Sequence, residues 1–100
     1  MARVKLKVSH DNQIITLRAS GDLNVQHAQQ LKAKLLEILE TPAETHLALE
    51  GVTSIDTAAI QLIFLFRKAL TNQNYISRIT LPESPAVQSL LEKTGVTKFL

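Results

Sequence analysis

The stretch Leu47-Ala48-Leu49-Glu50-Gly51-Val52-Thr53-Ser54-Ile55-Asp56-Thr57-Ala58-Ala59-Ile60 decides the fold, because a strand period gives way to a helical one inside it. Leu47 and Leu49 alternate with Ala48 and Glu50, the period of a short strand that Gly51 is expected to close. Asp56 or Thr57 then supplies an oxygen for the amides left orphaned at a helix start. The helix is predicted to run to about Leu70, with Ala59, Leu62, Ile63, Phe66 and Leu70 facing the core. Projected at about 100° per residue, Thr57, Gln61, Lys68 and Asn72 form a polar stripe on the other side, flanked by Phe64 and Leu65.

Upstream, residues 3 to 9 and 14 to 20 alternate with period two, and His10, Asp11, Asn12 and Gln13 between them carry turn chemistry, so a β-hairpin is expected. Ile15, Leu17 and Ala19 point inward in that reading. Gly21 and Asp22 break the alternation, and Asn24 is placed to cap a helix over about Val25 to Glu40, in which Ala28, Leu31, Leu35, Ile38 and Leu39 recur at helical spacing. Thr41, Pro42 and Ala43 end it. Downstream, Thr71 to Asn74 read as a polar loop and Ile76 to Leu81 as a strand. Ser84-Pro85 starts a third helix, which Gly95 is expected to stop in a left-handed turn with Val96 in apolar contact.

A hairpin followed by helix, strand, helix, strand and helix implies an α/β fold with a mixed sheet of four to five strands, since strands joined through helices are usually parallel. A ferredoxin-like order would put the first helix between the first two strands, against the hairpin signal. One hundred residues suit a single domain over 1–100, with 45% hydrophobic and 20% charged residues giving ordinary core-forming capacity.

Composition excludes several classes of function. The net charge is only +2 and four residues in a hundred are aromatic, so no cationic, stacking surface for nucleic acid is expected. Arg3, Lys5 and Lys7 alternate with Val4, Leu6 and Val8 and read as the solvated face of a strand. Without cysteine there is no disulfide, thiolate metal site or thiol nucleophile, which suits a reducing, cytoplasmic setting. MARVKLKVSHD has no apolar block of a signal peptide, and the apolar run Ile60 to Leu70, interrupted by Gln61, Arg67 and Lys68, is too short for membrane insertion.

No enzyme is expected. His10, His27 and His46 lack metal-ligand spacing and read as surface residues. Ser54, His46 and Asp56 are not set on a nucleophile elbow, and Gly21, Gly51 and Gly95 lie too far apart for a phosphate loop, so no catalytic, metal or cofactor site is expected. The chemically distinctive place is Asp56-Thr57. A phosphate on Thr57 would sit at the positive end of the helix, which favours it, beside the Asp56 carboxylate, which repels it.

These residues bring a family into view. Leu47-Ala48-Leu49-Glu50-Gly51-Val52 followed by Thr53-Ser54-Ile55-Asp56-Thr57-Ala58-Ala59-Ile60 resembles the strand-to-helix signature of the STAS domain family, and Gly21-Asp22-Leu23-Asn24 resembles the loop before its first helix. Element order is similar over nearly the whole chain, while matching of sequence concentrates in residues 47 to 66. The resemblance to anti-sigma factor antagonists implies binding of a kinase-type anti-sigma factor through the helix start and the loop at Asp22. It implies phosphorylation at Thr57, where those proteins carry serine, as the step that ends binding. The expected contact set is Asp22, Asn24, Ser54, Asp56, Thr57, Ala58, Gln61, Phe64 and Leu65. Ala58-Ala59 departs from the family's small residue followed by glycine. Relatives with Asp-Thr and a small residue also imply an alternative, an unphosphorylated accessory subunit docked on the ATPase of an ABC lipid transporter or on a chemotaxis kinase. The sequence is also compatible with a weak homodimer.

Overall fold

The structure is a computed structural model and describes residues 4–94. The hairpin forms first: β1 (Lys5–Asp11) pairs antiparallel with β2 (Ile14–Leu23) through a two-residue turn at Asn12 and Gln13. Both turn residues have positive φ, 50° and 65°, as a turn matching the strand twist requires. His10 and Asp11 therefore belong to β1 and not to the turn. A 3-10 turn (Val25–His27) leads into α1 (Ala28–Glu40), followed by β3 (Glu44–Ile55), α2 (Thr57–Asn72), β4 (Ser77–Thr80) and α3 (Pro85–Lys93). The sheet is four-stranded and mixed, in the order β1-β2-β3-β4, with β2, β3 and β4 parallel.

The expected caps form. Asn24 Oδ1 accepts from the Gln26 amide at 2.9 Å, and Ser84 Oγ accepts from the Val87 amide, with Pro85 in the first turn. Of the two candidates at α2, Asp56 is the cap: its Oδ1 accepts from the Ala59 amide at 3.2 Å. The expected stop at Gly95 and the contact of Val96 lie outside the described residues.

One face of the sheet carries the core. Ile15, Leu17 and Ala19 of β2 and Leu47 and Leu49 of β3 pack with buried residues of all three helices in a single cluster. The other face is polar, with Lys5, Lys7, Arg18 and Arg78 exposed; Arg18 lies 3.9 Å from Glu50 and Arg78 lies 3.7 Å from Glu44. His46 Nε2 meets the Thr80 hydroxyl at 2.6 Å and is half-buried, not the surface residue expected.

Two expectations are corrected where β2 and β3 run together. Gly51 does not close β3, which continues to Ile55, and Gly21-Asp22 do not end β2, which continues to Leu23. The register shows why. Arg18 pairs with Ala48 but Ser20 with Gly51, and Gly21 pairs with Val52 but Asp22 with Ser54, so β3 carries one extra residue at each step. Such bulges kink and twist a strand and re-aim its side chains. They turn the inward spacing of two, Leu47 to Leu49, into a spacing of three, Leu49 to Val52. Gly51 is needed at the first bulge, where a Cβ would stand 2.7 Å from the Ser20 Cβ.

Arg67 is the largest departure from the sequence reading. It does not interrupt the apolar face of α2 but lies in the interior, fully buried, with Nε donating to the Ser77 hydroxyl at 2.7 Å and Nη2 to the Ser77 carbonyl at 2.9 Å. Burial disfavours its charged form and pushes its pKa down.

Candidate protein-docking site

The parallel run of β2 and β3 sets the site, because both central strands finish at the same end of the sheet and each hands over there to a helix start. The bulged register puts Asp22 opposite Ser54 and Leu23 opposite Ile55. Ser54 Oγ donates to Asp22 Oδ1 at 2.5 Å, and Asn24 Nδ2 donates to Asp22 Oδ2 at 3.0 Å, so both carboxylate oxygens are engaged. The Asp56 amide donates to the Leu23 carbonyl at 3.1 Å, fixing the α2 cap against the end of β2. Asp22 is thus a strand residue, not a loop residue, and it ties the start of the first helical segment to the end of β3.

His27 completes this network and was not expected in it. Its Nδ1 lies 3.0 Å from the Asp22 carbonyl, an atom that can only accept, so Nδ1 carries the proton there. Its signal in the sequence was weak: a histidine five residues after an aspartate looks like any other surface residue until the 3-10 turn folds it back.

Thr57 is the first residue of α2 and is exposed, its hydroxyl one position beyond the Asp56 cap. No acidic residue lies in that first turn, but the Asp56 carboxylate already caps the Ala59 amide, so an anion on Thr57 would meet the positive helix end and that carboxylate together. Gln61 is exposed one turn on, Leu65 is 60% exposed one turn further, and Phe64 is half-buried. Thr57, Gln61, Phe64 and Leu65 form one wall of an apolar groove of about 570 Å³, whose opposite wall is Leu90 of α3 and Thr94, which caps its C-terminus. Leu90 and Thr94 were missed, since nothing local tells that this face of α3 stands beside α2.

The expected contact set is not one patch. Asp22, Asn24 and Ser54 share a hydrogen-bond network, with Asp56 and Thr57 next to it. Ala58 instead lines a groove toward α1, while Phe64 lines the groove toward α3; Gln61 and Leu65 border both. Among the described residues no group of three or more His, Cys, Asp or Glu could hold a metal ion, and no helix is long and apolar enough to cross a membrane.

Comparison with known proteins agrees with this architecture. An anti-sigma factor antagonist assignment from Thermotoga maritima superimposes with a TM-score of 0.80 at 18% identity, covering 91% of this chain and 79% of that one. The unphosphorylated anti-sigma factor antagonist SpoIIAA gives 0.73 at 19% identity, covering 95% of this chain and 84% of that one. The phosphorylated form of SpoIIAA, a Bacillus cell fate determinant, gives 0.69. The much larger Mglu gives 0.68 at 19% identity, with 77% of this chain spanning only 19% of that one. At these identities the likeness is one of fold. The family profile described as "Mlab, STAS domain" matches residues 6–100, and the chain belongs to the STAS domain family.

Proposed function

We propose that residues 1–100 act as one cytoplasmic, non-catalytic binding domain of the anti-sigma factor antagonist type, docking a kinase-type anti-sigma factor at the start of α2 and released when Thr57 is phosphorylated. The observation that carries this reading is the exposed Thr57 hydroxyl at the first position of α2, beside Asp56 and the Asp22–Ser54 pair. Unmodified, this edge offers neutral hydroxyls and an apolar groove to a partner. A phosphate there brings close to two negative charges, held by the helix end but opposed by the carboxylates around it, and a partner that had desolvated the hydroxyl would lose its contact. The fold shared with SpoIIAA supports the reading.

A second reading has one observation in its favour, the description of the matching family profile. In it the domain is an accessory subunit of an ABC lipid transporter, and Thr57 touches the ATPase without being modified. One experiment separates the two. The chain is incubated with ATP and each histidine-kinase-like protein and each transporter ATPase encoded beside it, and the products are analysed by size-exclusion chromatography and phosphopeptide mass spectrometry. Phosphate on Thr57 with loss of the complex is expected. A stable complex with an ATPase and an unmodified Thr57 would remove the switch and leave the second reading.

A further inference from the structure

β1 leaves one edge of the sheet open: it pairs with β2 on one side, and among the described residues no strand pairs with the other. Its seven residues run against β2 without a bulge and contain no proline, so two of the devices that usually blunt such an edge are missing. The hairpin fixes which backbone groups face outward. A two-residue turn is closed by a pair that exchanges both its hydrogen bonds, here Asp11 and Ile14, and the pattern alternates from there. Lys5, Lys7 and Ser9 thus turn their N–H and C=O groups toward β2, while Leu6, Val8 and His10 turn theirs outward.

An antiparallel second copy of β1, related by a twofold axis at Val8, matches this edge over its whole length. Outward groups then meet outward groups: Val8 faces Val8, and Leu6 of each copy faces His10 of the other, each pair exchanging both its hydrogen bonds. On the polar face Lys5 of each copy stands opposite Asp11 of the other, and Lys7 opposite Ser9, in the class of pair whose side chains lie closer. The strand is its own charge complement, with a cation at one end and a carboxylate at the other. Lys5 and Asp11 are exposed, and neither has an ion-pair partner among the described residues. The two Lys7 side chains stand diagonally across the axis, one repulsion against two attractions. Moving the axis to Lys7 would set that lysine against itself, and moving it to Ser9 would leave Leu6 opposite the turn residue Asn12, so Val8 is the favoured centre.

The apolar face of the strand fits the same register. Leu6 and Val8 are half-buried at the rim of the core. Val8 and His10 also line a hollow of about 370 Å³ between the hairpin and the end of α1, together with Ile15, Ile38 and Pro42. A copy centred on Val8 brings its own Leu6 beside His10 of this hollow and joins the two Val8 side chains on the axis.

We propose that the chain forms a twofold dimer through β1, joining two four-stranded sheets into one continuous sheet, with Val8 on the axis and Lys5 paired to Asp11 at either end. The contact shares no residue with the end of the sheet at Thr57, so it stands apart from the reading of Thr57 as a switch.

The test follows the full chain by sedimentation from about 10 μM to about 1 mM, the range suited to a contact of one strand pair. The mean mass is expected to rise from 11.1 kDa toward twice that value. Amide exchange of the ¹⁵N-labelled chain reads the register. As concentration rises, exchange at Leu6, Val8 and His10 should slow by about tenfold or more, while Lys5, Lys7 and Ser9, already bonded to β2, should stay as they are. Lys5→Glu and Asp11→Lys should each weaken association by about tenfold, because each sets like charges opposite one another at both ends. Both side chains are exposed in the single chain, so the variants keep its fold. Mixing the two variants should restore association, since the two substitutions then face each other as opposite charges and the unchanged Lys5 and Asp11 meet at the other end. A monomer throughout this range would overturn the proposal and leave the open edge to a strand of another protein. Exchange slowed at other amides instead, association that both variants keep, or a mixture that associates no better than either variant alone would overturn it as well.

Discussion

Ser54 and Asp22 join the ends of β3 and β2 by a hydroxyl–carboxylate hydrogen bond of 2.5 Å, and they meet only because two bulges in β3 bring Ser54 opposite Asp22. Asp22 also accepts from Asn24, so removing it frees two donors, while removing the Ser54 hydroxyl frees one acceptor site that water can reach. Ser54→Ala should lower stability by about 0.5 to 1 kcal/mol and Asp22→Ala by about 1 to 2 kcal/mol. The double variant should fall short of the sum by about 0.5 kcal/mol or more in urea denaturation. Strict additivity would mean that the two side chains do not interact in solution.

Arg67 is held to Ser77 through both the hydroxyl and the carbonyl, linking α2 to β4 inside the protein. Arg67→Ala removes a fully buried side chain and strands the Ser77 hydroxyl, so a loss of about 3 kcal/mol or more is expected. Ser77→Ala keeps the carbonyl contact and should cost about 1.5 to 2 kcal/mol. Arg67→Lys tests geometry: a lysine keeps the charge but has no planar fork to reach both atoms, so it should recover less than half of the alanine loss in chemical denaturation.

Gly51 sits at the bulge where a Cβ would lie 2.7 Å from the Ser20 Cβ, a side-chain atom that cannot swing away. Gly51→Ala should therefore destabilise by about 1 to 3 kcal/mol. Deleting the opposing carbon should undo much of this, so the pair Ser20→Gly with Gly51→Ala is expected to be more stable than Gly51→Ala alone. If the urea midpoint of the pair lies below that of the single variant, close approach is not the reason for glycine here.

Gln13 occupies the left-handed region at φ 65° in a turn position that favours glycine. Gln13→Gly should relieve about 1 kcal/mol of backbone strain, partly offset by the entropy glycine loses on folding, for a net gain of about 0.5 kcal/mol. The thermal midpoint should rise by about 2 to 4 °C. A fall would show that the Gln13 side chain makes a contribution larger than its strain.

These residues also show what the sequence made legible. The hairpin, the order of helices and strands and the caps Asn24, Asp56 and Ser84 depend on local periodicity and local hydrogen bonds, which neighbouring residues specify. The bulges were not legible, because inward residues at 47, 49 and 52 satisfy neither period two nor a helical period, and the apparent end of the strand at Gly51 was a bulge. Arg67 was misread for a related reason: an arginine among leucines looks like an interruption unless its partner, ten residues on in β4, is known to face it. Leu90 and Thr94 joined the site through tertiary placement alone, while His27 joined it through a local 3-10 turn that its sequence did not announce.

Thr57 offers a test in which folding and binding move in opposite directions. A carboxylate at the first position of α2 lies at the positive helix end, beside the Asp56 cap, so Thr57→Glu should gain about 0.3 to 1 kcal/mol from the helix dipole, less whatever Asp56 repels. Stability should therefore stay within about 0.5 kcal/mol of the parent chain. Binding to the cognate partner should weaken by a few kcal/mol, on the order of a hundredfold, if the partner covers the hydroxyl, because the new charge must be desolvated against a surface built for a neutral group. Thr57→Ser keeps the hydroxyl and should bind within about threefold of the parent, since only a methyl group is lost. Isothermal titration of the three chains against the same partner decides the matter: equal affinity for Thr57→Glu and the parent chain places the interface away from this helix start, whereas a loss shared by Thr57→Ser assigns the contact to the methyl group and not to the hydroxyl.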